Sequence, residues 1–192
     1  MNNEKRKKWG LLAKKFSGTG DKLGKGIDKK ILETVMALNA LGINTDQSCE
    51  GHLKWGTCSP WVDIKATNTE KLEAETLKSW EDADMAAKSG IGRETTDKLF
   101  GQYHQMRIKL KTRNLSTPIK LWPHLLEFYK RRNPEFGTRL TLSFYGNGVG
   151  RLQSQGAEFQ ETLPIKRRKE NLLKFQKEMK EFTDYLKEKY FK

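Results

Sequence analysis

The chain has 192 residues and a formal net charge of +13, with 35% hydrophobic and 32% charged residues. Nine Phe, five Tyr and five Trp, with recurrent Leu, Ile and Met, suffice for a packed core, which excludes wholesale disorder. No run approaches the ~18 apolar residues of a membrane span, and the charged start Met1–Lys8 has no apolar stretch behind it, so neither a membrane protein nor a secreted one is expected.

In chain order, residues 1–26 read as a basic flexible arm. Lys5, Arg6, Lys7 and Lys8 precede Trp9, Leu12 and Phe16, and Gly18, Gly20, Gly24 and Gly26 then break any pattern. The Gly18 to Lys25 stretch lacks the spacing of a phosphate-binding loop. Residues 27–192 read as one α+β domain. Ile31, Val35 and Leu38 share a helical face over residues 28–41, with Asp28 at the start and Gly42 at the end. Residues 43–59 read as loop, and residues 60–66 alternate as a strand. Thr67 and Glu70 resemble a capping box that opens a helix to residue 88, with Leu72, Thr76, Trp80, Ala83 and Ala87 inward. Further helices are expected over residues 95–113 and 118–132.

The period then changes. Leu140, Leu142 and Phe144 alternate with polar neighbours, Gly146-Asn147-Gly148 has hairpin chemistry, and residues 149–153 form the return strand. Leu172, Phe175, Met179, Phe182 and Leu186 mark a long closing helix over residues 163–190. The expected architecture is a small, largely antiparallel sheet of about three strands covered by four to five helices.

Charge is unevenly spread: residues 1–30 carry +7 and residues 98–132 carry +8, on either side of −4 over residues 67–97. A pI near 9.7 favours an anionic partner, although a charged face is also ordinary solvated surface. Two cysteines, Cys49 and Cys58, are too few for a disulfide scaffold and suit a reducing cytoplasm.

One segment exceeds the needs of a loop. Thr45, Asp46, Ser48, Cys49, Glu50, Gly51 and His52 place hydroxyls, carboxylates, a thiol and an imidazole within eight residues, followed by Trp55, Trp61 and Asp63. As a metal site, Cys49, His52 and Cys58 supply three zinc ligands but lack a fourth. As a nucleophile, Cys49 needs a lowered pKa, which Glu50 opposes. As a binding loop, Ser48, Cys49 and Gly51 offer N–H groups to an anion, the tryptophans stack on a ring, and Glu50 and Asp63 accept from hydroxyls or amines. The plain structural alternative makes Cys49 a buried hydrophobe and His52 a satisfied core residue. Tyr145, Asn147 and Arg151 of the hairpin form a second polar cluster, with Arg151 suited to two-point recognition of phosphate.

The run from Gly26 through Asn39, then Gly42-Ile43-x-Thr45-x-x-Ser48-Cys49-Glu50-Gly51-His52 and Pro60-Trp61-Val62, resembles a family of small proteins of reduced-genome bacteria. The closing helix with Phe182, Leu186 and Phe191 is similar too. That resemblance implies no particular activity. Thr45-x-x-Ser48-Cys49-x-Gly51 is also faintly similar to the Ser-Cys-x-Gly loop of wybutosine-synthesis TYW-type tRNA methyltransferases, where Arg stands in place of His52. This implies a nucleotide-related ligand.

The leading expectation is a soluble cytoplasmic protein that binds a small anionic ligand, a nucleotide or nucleotide-derived signal, for sensing or sequestration. Its pocket would join the 45–52 loop, the 61–63 strand and the 145–151 hairpin, with no cofactor and no metal. The alternatives are a nucleic-acid-binding protein using its basic patches and a Cys49–His52 enzyme acting on a nucleotide or nucleic acid.

Overall fold

Ile31, Val35 and Leu38 recur at helical spacing in α2 (Lys29–Ala40), and all three are buried. The computed structural model, which describes residues 3–20 and 24–192, closes this helix with a Schellman turn. Gly42 takes φ +76°, its N–H donates to Asn39 O at 3.0 Å, and the Ile43 N–H donates to Leu38 O at 2.9 Å.

From this turn the chain enters an antiparallel sheet of four strands: β1 (Thr45–Cys49), β2 (Trp61–Ile64), β3 (Leu140–Tyr145) and β4 (Val149–Ser154), in the order β1-β2-β4-β3. The additional strand is β1, expected as loop. Its residues are polar, it lies at the sheet edge, and its register with β2 shifts between Thr45 and Ser48. An edge strand with an irregularity carries no apolar alternation for a sequence to display.

One face of the sheet is apolar. Val62, Ile64, Leu140, Leu142 and Leu152 share a core with Ile31, Val35 and Leu38 of α2, with Leu125 and Phe128 of α5 (Trp122–Tyr129), and with Met179, Phe182 and Leu186 of α6 (Ile165–Phe191). Each such side chain, fully buried, contributes roughly 1.5–3 kcal/mol. The fold is therefore α+β, with six α-helices and the four-stranded sheet among the described residues.

The N-terminal segment departs from expectation. Asn3–Ser17 form a helix, α1, rather than a flexible arm. Phe16 is buried in the main core, Trp9, Leu12 and Ala13 pack against it, and the Tyr190 hydroxyl donates to Lys5 O at 3.1 Å. Trp9 also meets the Tyr190 and Phe191 rings, with centroids 6.1 and 5.4 Å away. The apolar residues are few but lie on one side, and tertiary packing supplies what local spacing did not announce. Of the expected glycine joint, Gly20 and Gly26 pair as an isolated antiparallel bridge. Residues 1–2 and 21–23 of the expected arm lie outside the described residues.

α3 (Glu70–Lys88) and α4 (Arg93–Leu115) form a helical hairpin. Its start is displaced from the expected capping box: Thr69 precedes the helix and donates to Glu73 Oε1 at 2.7 Å, while Asn68 takes φ +56°. Trp80 and Ala87, expected inward, are exposed, and Ala86 is buried instead. The far end of α4 is tied to the β3–β4 turn, where Asn114 Nδ2 donates to Asn147 O at 2.9 Å. No helix among the described residues is long and apolar enough to cross a membrane.

Candidate functional site

The β1–β2 loop begins at Cys49 and folds back on the N-terminus of α2. Asp28 occupies the N-cap position, but its carboxylate reaches the loop instead of capping its own helix: Oδ2 accepts the Glu50 N–H at 3.2 Å and lies 3.2 Å from His52 Nε2. Glu50 completes the exchange, its Oε2 accepting the Lys30 N–H at 3.0 Å. A carboxylate from the loop thereby satisfies a first-turn donor of α2 and meets the positive end of its dipole. α6 locks the arrangement, with Gln176 Nε2 donating to Glu50 O at 2.9 Å and Lys30 Nζ donating to Gln176 Oε1 at 3.1 Å.

Gly51 makes the fold-back possible. It takes φ +84°, and a Cβ there would sit 2.7 Å from Leu172 Cδ1 and 2.8 Å from the Ser59 carbonyl carbon. Its N–H donates to Cys49 Sγ at 3.3 Å. The next ring, His52, stacks on Trp55 at 3.6 Å between centroids and 19° between planes, and Lys25 Nζ lies 3.8 Å over the same indole.

Beside this loop, a groove of about 500 Å³ runs between α2 and α6. Ile31, Pro60 and Met179 contribute its apolar lining, and Lys29, Lys30, Lys177 and Lys180 line it together with the carboxylates Glu33 and Glu50. Lys177 and Lys180 pair with Glu181 at 3.9 Å and Asp184 at 2.6 Å on their own helix. Exposed pairs of this kind hold a lysine weakly. A second hollow of about 470 Å³ adjoins it over residues 26–30 and Glu50.

The expected pocket is thus divided. Of the twelve residues singled out, Glu50 lines the groove. Cys49, Gly51, His52 and Trp55 form the loop cluster beside it. Thr45 Oγ1 accepts from Asn39 Nδ2 at 2.9 Å, Ser48 pairs with Val62, and the Asn147 carbonyl is bound by Asn114. Trp61, Asp63, Tyr145 and Arg151 gather on β2, β3 and β4. There Arg151 Nε donates to Asp63 Oδ1 at 2.7 Å and Nη2 to Oδ2 at 2.8 Å, and the Tyr145 hydroxyl donates to Oδ2 at 2.5 Å. The guanidinium lies 4.0 Å over the Trp61 ring. Arg151, expected to recognise phosphate, has its fork filled by Asp63, and Asp63, expected to accept from a ligand, has both oxygens engaged. The strand register places the two opposite each other, so the sheet itself uses the pair.

Cys58, weighed as a third zinc ligand in one alternative reading, is not among the side chains that converge with Cys49 and His52, and its Sγ lies 3.6 Å from Arg168 O. Burial pushes the Cys49 thiol up, the Gly51 N–H opposes this, and Asp28 and Glu50 push it further. That direction disfavours the thiolate a nucleophile requires. Asp28, Lys29, Lys30, Gln176, Lys177 and Lys180 escaped notice as site residues. Gln176 and Lys177 lie four and three residues before Lys180 on one helix, a signal indistinguishable from a solvated face until α2 is set against it.

No family model matches this chain, and no match is found among curated proteins or solved structures.

Proposed function

We propose that the protein binds a small anionic ligand, of the nucleotide or nucleotide-derived class, in the groove between α2 and α6. The observation that supports this is the makeup of the groove: an apolar floor with lysines on both flanking helices. A pocket of this volume holds a body of nucleotide size, and ammonium groups suit its phosphates. Trp55 does not line the groove, but it is 55% exposed on the β1–β2 loop that sends Glu50 into it, and its ring already stacks on His52. The groove's lining holds neither cysteine nor histidine, which favours sensing or sequestration over turnover, and two free cysteines fit a cytoplasmic setting.

A nucleotide panel read by thermal unfolding tests the proposal. A ligand at 100 times its Kd stabilises by about 2.7 kcal/mol, a shift of several degrees for a chain of this size. Lys29→Glu with Lys177→Glu abolishes that shift while leaving the unliganded melting temperature within a degree or two. A panel without any shift removes the proposal.

The second reading is nucleic-acid binding. It draws on α1, whose Lys7, Lys14 and Lys15 are exposed on a docked helix that packs against the same core as α2. Polynucleotide affinity falls steeply with salt, whereas one or two phosphate contacts give a shallow dependence.

A further inference from the structure

Three side chains of different chemistry converge where the β1–β2 loop meets α2. A carboxylate oxygen of Asp28, the Cys49 sulfur and a ring nitrogen of His52 all lie within 4.8 Å of one another. Cys49 is buried, while the His52 and Asp28 side chains are 17% and 16% exposed. The cluster is shielded, yet it reaches solvent on one side, where Asp28 lines the hollow beside the groove.

We infer that Asp28, Cys49 and His52 form a site for a divalent metal ion, zinc(II) by the chemistry of the donors. One thiolate, one imidazole and one carboxylate make a borderline-soft set that suits zinc and gives magnesium or calcium little. Three protein ligands leave a fourth tetrahedral position for water or an anion. Tetrahedral zinc holds its N and O donors about 3.3–3.6 Å apart. His52 Nε2 and Asp28 Oδ2 already stand 3.2 Å apart, so one edge of the polyhedron is in place and the remaining closure falls to Cys49.

The surrounding contacts orient each ligand, as the outer partners of a metal site do. The Gly51 N–H donates to Cys49 Sγ, a bond that strengthens when the sulfur becomes a thiolate. The Glu50 N–H donates to Asp28 Oδ2, and Trp55 stacks on the His52 ring and fixes its plane. Gly51 is the residue that lets the chain reverse between Cys49 and His52, with φ +84° and no room for a Cβ. Cys58 takes no part. On binding, the metal sheds water, the Cys49 thiol gives its proton to the buffer, the His52 proton that faces Asp28 leaves Nε2 so that the neutral ring carries it on Nδ1, and bonds form from the metal to Sγ, Nε2 and the Asp28 carboxylate.

Cobalt(II), a spectroscopic substitute for zinc, tests the assignment. The full chain, stripped with chelator and reduced, is titrated with cobalt under nitrogen. The expected result is one equivalent bound, with thiolate-to-cobalt charge-transfer absorption that zinc displaces. Cys58→Ser keeps the absorption and Cys49→Ser loses it. Asp28→Asn and His52→Ala weaken cobalt binding by at least about tenfold, the loss that even outer partners of a metal site cause. Circular dichroism follows folding throughout. If Cys49→Ser does not fold, Asp28→Asn decides: an affinity equal to wild type overturns the site. Absence of thiolate absorption at one equivalent, or its loss in Cys58→Ser, overturns it as well. The titration uses metal alone, so its failure leaves the groove proposal standing, and failure of the nucleotide panel leaves the metal site standing.

Discussion

Asp63 of β2 and Arg151 of β4 stand opposite each other in the sheet and close a two-point ion pair, with Asp63 only 2% exposed. A buried carboxylate of this kind depends on its partner. Arg151→Ala leaves it uncompensated and costs about 3–5 kcal/mol. Denaturant unfolding measures this loss. At temperatures where the variant stays folded, its affinity for an anionic ligand equals that of wild type, because Arg151 belongs to the sheet and not to the groove.

Glu50 supplies the groove's negative charge closest to the start of α2. Glu50→Gln keeps an acceptor for the Lys30 N–H, so its stability cost stays below about 1 kcal/mol. It also removes a unit negative charge from the proposed, solvated binding groove, worth up to ~1 kcal/mol, so anion affinity is expected to rise about two- to fivefold. Calorimetric titration of the variant measures the sign directly. A loss of binding would mean that Glu50 itself contacts the ligand.

Phe16 anchors α1 in the core at 8% exposure. Phe16→Ala costs about 3 kcal/mol, and removal of residues 1–17 costs more. On a chain of this length, 3 kcal/mol lowers the melting temperature by roughly 6–12 °C. An unchanged melting temperature would return α1 to the status of a loose arm.

How much of this was legible in the sequence depended on where the signal lay. Ile31, Val35, Leu38 and Gly42 announced α2 and its end, and Leu140, Leu142 and Gly146-Asn147-Gly148 announced the hairpin, because local spacing and turn chemistry carry that information. β1 was not legible, because an edge strand of Thr, Asp, Gln and Ser shows no buried face. Trp9 and Phe16 looked isolated until Tyr190, 174 residues beyond Phe16, came to meet the helix that bears them. At the site, the density of polar groups marked the loop that folds back on the start of α2. What those groups bind was a matter of pairing across the fold: Asp63 with Arg151, Asp28 with His52, and Lys30 with Gln176 are separated by 88, 24 and 146 residues.

Three tyrosine hydroxyls with raised pKa values predict a loss of stability at alkaline pH. Burial, and then the hydrogen bond to Asp63, raises the Tyr145 hydroxyl to about 12, and burial is likewise the main cause that pushes Tyr129 and Tyr185 up. A folded-state pKa above the unfolded value of about 10 means the contribution is complete below pH 10 and is lost as pH climbs through the folded value. Stability therefore falls between pH 10 and about 12. Tyr145→Phe reduces the steepness of that fall, as followed by unfolding and by tyrosinate absorbance. A profile flat to pH 12 would contradict the assignment.

The proposed function rests on anion binding in the groove between α2 and α6. Amide shift mapping of the isotope-labelled protein with a nucleoside diphosphate tests it most directly. Saturable shifts are expected at Lys29, Lys30, Ile31, Glu50, Gln176 and Lys177, with the Tyr145 to Arg151 hairpin unmoved. Shifts centred on that hairpin, or none at saturating nucleotide, would contradict it.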